Sequence, residues 1–211
     1  KGELDPRLAS KAWEAGWLLA HRGLTNATNE RTFVTFVLPR SAIGNSIPAW
    51  LFDCSLDKRK IAGLSANTAS LVCDFAARQK IGGTNLNFFY LEQFPILPPD
   101  FYTASRLAFV VPKVLELTYT SNSLAPFARD LGHDGPPFAW DEDRRVSLRA
   151  DLEASLRAGY AVIAKGGDSL DAVQAAELAG TAAFLAPLPD EPAVLVEHRD
   201  ARIAQAVGDQ Q

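Results

Sequence analysis

Arginine and asparagine side chains set in short loops are the groups in this chain with the clearest chemical use, because each offers paired hydrogen bonds to a planar or anionic partner. Arg22, Arg31 and Arg40 flank two apolar stretches, with Asn29 and Asn45 in the adjoining loops. A second set, Arg78, Lys80, Gly82, Gly83, Thr84, Asn85 and Asn87, surrounds a double-glycine turn. Bidentate Arg and Asn read base edges, and glycine turns let backbone amides come close to phosphates. Residues of these types in loops have the chemistry to contact a planar or anionic partner, a nucleic acid among them. Against that stands the plainer use of the same residue types. A loop Arg or Asn is usually just solvated, and Asn67, Asn85 and Asn87 equally serve to cap helices or tie loops. Phe88, Phe89 and Tyr90 either stack on an unpaired base or fill the core.

Other chemistry is thin. His21, His133 and His198 are far apart, with no HxxxH or HExxH spacing, so no metal ligands are expected. His133 and Asp134 form either a base with its orienter or part of a solvated loop. No Ser lies in a GxSxG elbow and no P-loop is present. No catalytic residue is assigned. Cys54 and Cys73 do not form a metal or disulfide framework, and each is expected as a buried thiol among apolar neighbours.

These groups need elements to hold them. Arg31 to Leu38 (RTFVTFVL) reads as a strand ended by Pro39, and Ile47 to Phe52 as a second, with Gly44-Asn45 turning between them. From Ala62 to Lys80 the spacing predicts one helix, with Leu64, Thr68, Leu71, Val72, Phe75 and Ala76 on its apolar stripe and Gly82-Gly83 ending it. Thr84 to Leu91 is extended or a short helical turn, and Pro95 to Pro99 is a rigid stretch that packs across other elements. A helix over Ser105 to Asn122 presents Leu107, Val110, Val111, Val114, Leu115 and Thr118, with a start or kink at Pro112. After a Gly- and Pro-rich loop (Leu131 to Phe138), another helix begins near Asp141, and Ala-rich helical sequence follows. The expected class is α+β: a small mixed sheet with flanking helices, then a mainly helical C-terminal part.

The 211 residues, 47% hydrophobic and 22% charged, suffice for one good core, or one core and an appendage. Residues 1–125 carry 13 Lys and Arg against 10 Asp and Glu, whereas 126–211 carry 8 against 15. Only the first part suits a polyanion, and 126–211 reads as an acidic, mainly helical spacer or tail. No apolar run approaches the roughly 20 residues that span a bilayer, and the start lacks a secretory layout, so a cytoplasmic protein without membrane contact is expected. The chain holds no Met and opens on Lys1, from which a piece of a longer protein is expected.

Several phrases together resemble one family. Thr25 to Thr32 (TNATNERT) and Leu38 to Asn45 (LPRSAIGN) are similar to a stretch of the large DNA adenine methyltransferases of the type IIG and phage-exclusion kinds. Ala66 to Lys80 (ANTASLVCDFAARQK), Gly82 to Pro99 (GGTNLNFFYLEQFPILPP) and Pro137 to Arg145 (PFAWDEDRR) resemble later stretches of that family, in the same order, over roughly two thirds of the chain. The resemblance implies the target-recognition region that follows the catalytic domain in restriction-modification and phage-defence enzymes, and with it base or phosphate contacts among Arg22, Arg31 and Arg40, the residues around Gly82-Gly83 chiefly shaping the domain. Its partners would be double-stranded DNA and a methyltransferase catalytic domain, in cis or in trans. The whole enzyme would use S-adenosylmethionine to methylate adenine N6, while this chain would hold no cofactor. The glycine-rich cofactor loop and the Asn-Pro-Pro-Tyr/Phe tetrapeptide of such enzymes are missing, since Pro98-Pro99-Asp100-Phe101 lacks the leading Asn and the adjoining aromatic. The alternative is a specificity subunit acting with a separate methyltransferase. Past residue 151 the family pattern fades, and Ala158 to Ala176 (AGYAVIAKGGDSLDAVQAA) resembles a helix of isoaspartyl-peptidase type hydrolases. Nothing resembles the threonine nucleophile those enzymes need, and an amphipathic helix capped by Asp168 or Ser169 explains the same letters.

Overall fold

The computed structural model describes residues 13–165, and most of the hydrolase-like stretch therefore lies outside the described residues. Its sheet has three antiparallel strands in the order β2-β1-β3: β1 Trp17–His21, β2 Thr35–Pro39 and β3 Ala49–Trp50. β1 pairs Trp17 with Pro39 and His21 with Thr35 on one side, and Leu19 with Trp50 on the other. All five β1 residues are buried, so the central strand has no polar face and lacks the alternation that marks a half-buried strand. That is why sequence patterning passed over it.

Around the sheet run α1 Lys58–Thr68, α2 Leu71–Lys80, α3 Phe88–Leu91, α4 Ala104–Thr118, α5 Ala125–Asp130 and α6 Glu142–Lys165. Together they give the expected α+β class, but the small sheet is antiparallel throughout where a mixed one was expected. Its floor is aromatic. Trp17 meets Trp13 edge-on at 5.4 Å and Phe127 at 4.9 Å, and its indole N–H donates to Asp130 at 2.7 Å. Offset and edge-on ring pairs add about 0.5–1.5 kcal/mol beyond area burial. The helices after Pro126 share this core, since Phe127, Leu131, Leu152 and Leu156 belong to the same cluster as Trp17 and Phe52.

The helix expected from Ala62 to Lys80 is two. Ser70 interrupts it, its hydroxyl accepting the Cys73 N–H at 3.1 Å and so starting α2 afresh. A serine oxygen that satisfies an orphan N–H favours a new N-terminus over continuation. The second axis redirects the stripe: Cys73, Asp74 and Ala77 are buried, while Leu71 and Phe75 are 51% and 66% exposed. Strand boundaries also contract. Arg31 to Val34 lies outside β2 because Thr32 and Phe33 give their N–H groups to the Asp74 carboxylate instead of to a neighbouring strand. The second strand shrinks to Ala49–Trp50, and the Gly44-Asn45 turn is closed by the Ile47 N–H on the Gly44 carbonyl at 2.9 Å.

α4 buries Leu107, Val110, Val111, Val114 and Leu115 as the spacing predicts, and it continues through Pro112. α6 starts where expected, with Asp141 accepting the Arg144 N–H at 2.9 Å. It is held on α4 by Arg144 to Glu116 at 2.8 Å and by Arg145 to the Leu117 carbonyl at 2.9 Å. Cys73 is buried as expected, but Cys54 is exposed, because the turn before α1 carries it outward. No helix among the described residues is long and apolar enough to cross a membrane.

Candidate nucleic-acid interface

Gly23, just past β1, joins three separated segments. Its N–H donates to the Ser46 carbonyl at 2.8 Å and its carbonyl accepts from Leu86 N at 2.7 Å, while Thr25 N donates to the Thr84 carbonyl at 2.9 Å. A Cβ on Gly23 would stand 3.1 Å from the Ser46 carbonyl oxygen, so the loop approaches closely there. Leu24 and Asn85 form an antiparallel bridge beside it. The loops bearing Asn29, Asn45 and Gly82 to Asn87 thus gather at one end of the sheet.

Asp74 organises the neighbouring side of that end. Its Oδ1 accepts the Thr32 and Phe33 N–H groups, each at 2.8 Å, and its carboxylate pairs with Arg31 at 3.5 Å and Arg78 at 3.3 Å. Two backbone donors and two guanidinium groups meet the requirement that a buried carboxylate be paired and hydrogen-bonded. Arg31 also donates to the Ala69 carbonyl at 2.6 Å, and Arg78 to the Glu30 carbonyl at 2.8 Å. Arg22 donates to the Arg31 carbonyl at 2.6 Å and to Thr25 Oγ1 at 3.2 Å, which also accepts from Asn29. Arg22, Asn29, Arg31 and Arg78 therefore form one connected network.

Exposure does not divide along the two sets, since Arg78 of the second lies in this network and Asn45 beside the first stands exposed. Arg22 and Arg31 are tied into the fold, whereas Gly82, Gly83, Thr84 and Asn85 stand exposed, with Lys80 half-buried beside them. Gly132 alone among the described glycines has a positive φ, and a Cβ on Gly82 or Gly83 would meet nothing within 4 Å. The helix end therefore does not demand glycine at either position: α2 closes at Ile81, whose N–H returns to the Ala77 carbonyl. Arg40 is not brought to this end. The five residues of β2, roughly 17 Å long at about 3.4 Å each, lie between it and the loop that carries Arg31, and its N–H donates to the Gly16 carbonyl at 3.0 Å. Asn87 precedes α3 at its N-cap.

Sequence reasoning missed the groove beside α2. Glu30, Arg31, Leu71, Val72, Asp74, Phe75, Arg78 and Arg157 line an open hollow of about 510 Å³. Glu153 of α6 accepts the Leu71 N–H at 2.9 Å and pairs with Arg157 at 3.3 Å, fixing α6 against the start of α2. The i,i+4 spacing of Asp74 and Arg78 was a legible signal, but Arg157 lies 79 positions further on and joins only through the fold.

Of the remaining candidates, Asn67 ties loops. Fully buried, it accepts the Leu97 N–H at 2.7 Å and donates to the Tyr160 hydroxyl, which itself donates to the Pro95 carbonyl at 2.8 Å. The rigid Pro95 to Pro99 stretch is thereby packed across α1 as expected. Phe88 and Tyr90 pack against the core, and Phe89 is 63% exposed. His21 is buried and accepts the Trp50 indole N–H on Nδ1 at 2.8 Å. His133 stacks on Phe138 at 5.0 Å, and Asp134 beside it is exposed. Among the described residues no three His, Cys, Asp or Glu side chains gather as a metal site would require. Comparisons with protein-family models, with curated proteins and with solved structures find no match to this chain.

Proposed function

We propose that this chain reads duplex DNA, as the target-recognition part of an adenine-N6 methyltransferase whose catalytic unit is supplied in cis or in trans. The observation that carries the reading is the convergence at Gly23: the TNATNERT loop, the turn at Asn45 and the Gly82 to Asn87 segment lie side by side although the sequence spaces them far apart. Duplex recognition needs such a cluster of short polar loops, because base edges and phosphates are reached together only from one surface. Two glycines that the fold does not require, flanked by Lys80, Thr84 and Asn85, suit backbone approach to phosphate. S-adenosylmethionine and the adenine to be methylated would be held by the catalytic unit.

Fluorescence anisotropy with a mixed-sequence duplex at two salt concentrations tests the reading. Affinity should fall steeply with salt, and Lys80→Ala should weaken binding with a shallower salt slope. Asn85→Ala should weaken it without changing the slope. Absence of binding at low salt, with the catalytic unit present as well as without it, rules the reading out.

A further inference from the structure

Where the loops converge, Leu24 and Asn85 face each other across an antiparallel bridge. The bonds on either side define its geometry: Thr25 N donates to the Thr84 carbonyl at 2.9 Å and Leu86 N to the Gly23 carbonyl at 2.7 Å. A pair flanked by hydrogen bonds in this way, and not bonded to itself, brings its two side chains together on one face, with Cα atoms about 4.5 Å apart. Thr25 and Leu86, the next residue on each strand, turn to the opposite face and are buried. Leu24 is 58% exposed and Asn85 is exposed beside it. The ribbon therefore holds a branched apolar group and a carboxamide side by side, outward, on a backbone tied at both ends.

A lone exposed leucine is ordinary on a protein surface. This one is set apart by its neighbour and by the bonds that fix it. The amides of Asn26, Asn29 and Asn67 are engaged in the fold, whereas the Asn85 side chain makes no hydrogen bond to any described residue. A carboxamide matches the N6 amino group and N7 of adenine, and an apolar side chain packs on the C5-methyl of thymine. Both features lie in the major groove, which a two-stranded ribbon can enter. Guanine offers acceptors at both positions and cytosine carries no methyl, so a G·C pair satisfies neither side chain. Gly82 and Gly83, just before the ribbon, present no side chain that would hold it away from the groove. The geometry points to Leu24 and Asn85 as a pair that reads A·T sequence from the major groove, Asn85 on adenine and Leu24 on a thymine methyl of the same or the adjoining base pair. The inference rests on the DNA-reading proposal and names the base pair and the groove that this surface takes.

The test uses the full chain and fluorescence anisotropy with an A·T-only duplex of mixed order and a G·C-only duplex of equal length. Wild type should bind the A·T duplex about tenfold more tightly, and Asn85→Ala should remove that preference. Replacing adenine by 7-deazaadenine should weaken wild type and leave Asn85→Ala unaffected. Replacing thymine by uracil, which removes only the methyl, should weaken wild type severalfold and leave Leu24→Ala unaffected. Neither variant should change the salt slope, since neither side chain meets phosphate. Both side chains are exposed, so both variants should keep the urea midpoint of wild type. Equal, salt-dependent binding of the two duplexes overturns the A·T assignment and leaves the duplex reading standing. Uracil that weakens wild type and Leu24→Ala alike overturns the role of Leu24. Self-association that Leu24→Ala abolishes, with duplex binding unchanged, assigns the ribbon to a second copy and also overturns it. No binding of either duplex, with or without the catalytic unit, sinks the inference together with the reading it rests on.

Discussion

Asp74 Oδ1 lies 2.8 Å from the backbone nitrogen of Phe33, across 41 residues of chain. This bond, with its twin to Thr32, takes the place of strand pairing where β2 would otherwise begin, and it connects α2 to the loop that carries Arg31. Asp74→Ala should therefore cost about 3–5 kcal/mol, since it strands two buried N–H groups and removes the carboxylate that Arg31 and Arg78 share. Asp74→Asn keeps an acceptor oxygen and should cost less. Urea denaturation of the three proteins measures the order.

Asn67 and Tyr160 should be energetically coupled. Each single change, Asn67→Ala or Tyr160→Phe, breaks the shared bond that links α1 to α6 across the Pro95 to Leu97 stretch. A double-mutant cycle should give a coupling of about 0.5–3 kcal/mol, and strict additivity would show that the two act independently.

Glycines at two positions should respond in opposite ways. A Cβ on Gly63 would lie 2.6 Å from the Tyr102 ring, whose hydroxyl donates to the Gly63 carbonyl at 2.9 Å. Gly63→Ala should cost about 1–3 kcal/mol by overpacking. Gly82→Ala meets open space at an ordinary φ and should leave stability unchanged or raise it by up to about 1 kcal/mol. If the turn approaches phosphate, Gly82→Ala should still weaken duplex binding, a loss of function without loss of fold.

Acid should loosen the α4 to α6 contact. The hydrogen bond from Arg144 holds the Glu116 carboxyl below its ordinary value of 4.5. A carboxyl depressed in the folded state adds stability above its unfolded value and loses it as pH falls through the folded value. Urea midpoints at neutral pH and below 4.5 should therefore differ more in wild type than in Glu116→Gln. The pair lies near the surface, so the difference should be small and should shrink in salt.

Much of the helical framework was legible locally. The apolar spacing of α4, the acidic start of α6, the turn at Gly44-Asn45 and the rigid prolines after α3 follow from side-chain periodicity and backbone limits that act within a few residues. β1 was not legible, because a strand covered on both faces has no alternation to read. Nor was the exposure of Phe75, since the same letters make a continuous stripe until Ser70 restarts the helix on a new axis.

The sequence by itself determined which residues are available for contact chemistry: loops with Arg, Asn and Gly, and a charge balance that is positive only before Pro126. Tertiary structure alone decided which of them stand together. Arg22 and Arg31 are drawn into a network around Asp74, Arg40 is left at the far end of β2, and Arg157 is brought beside Phe75 from 82 positions away. The reason is physical: a buried carboxylate must be paired wherever the chain can supply donors, and that demand acts through space without regard to sequence separation.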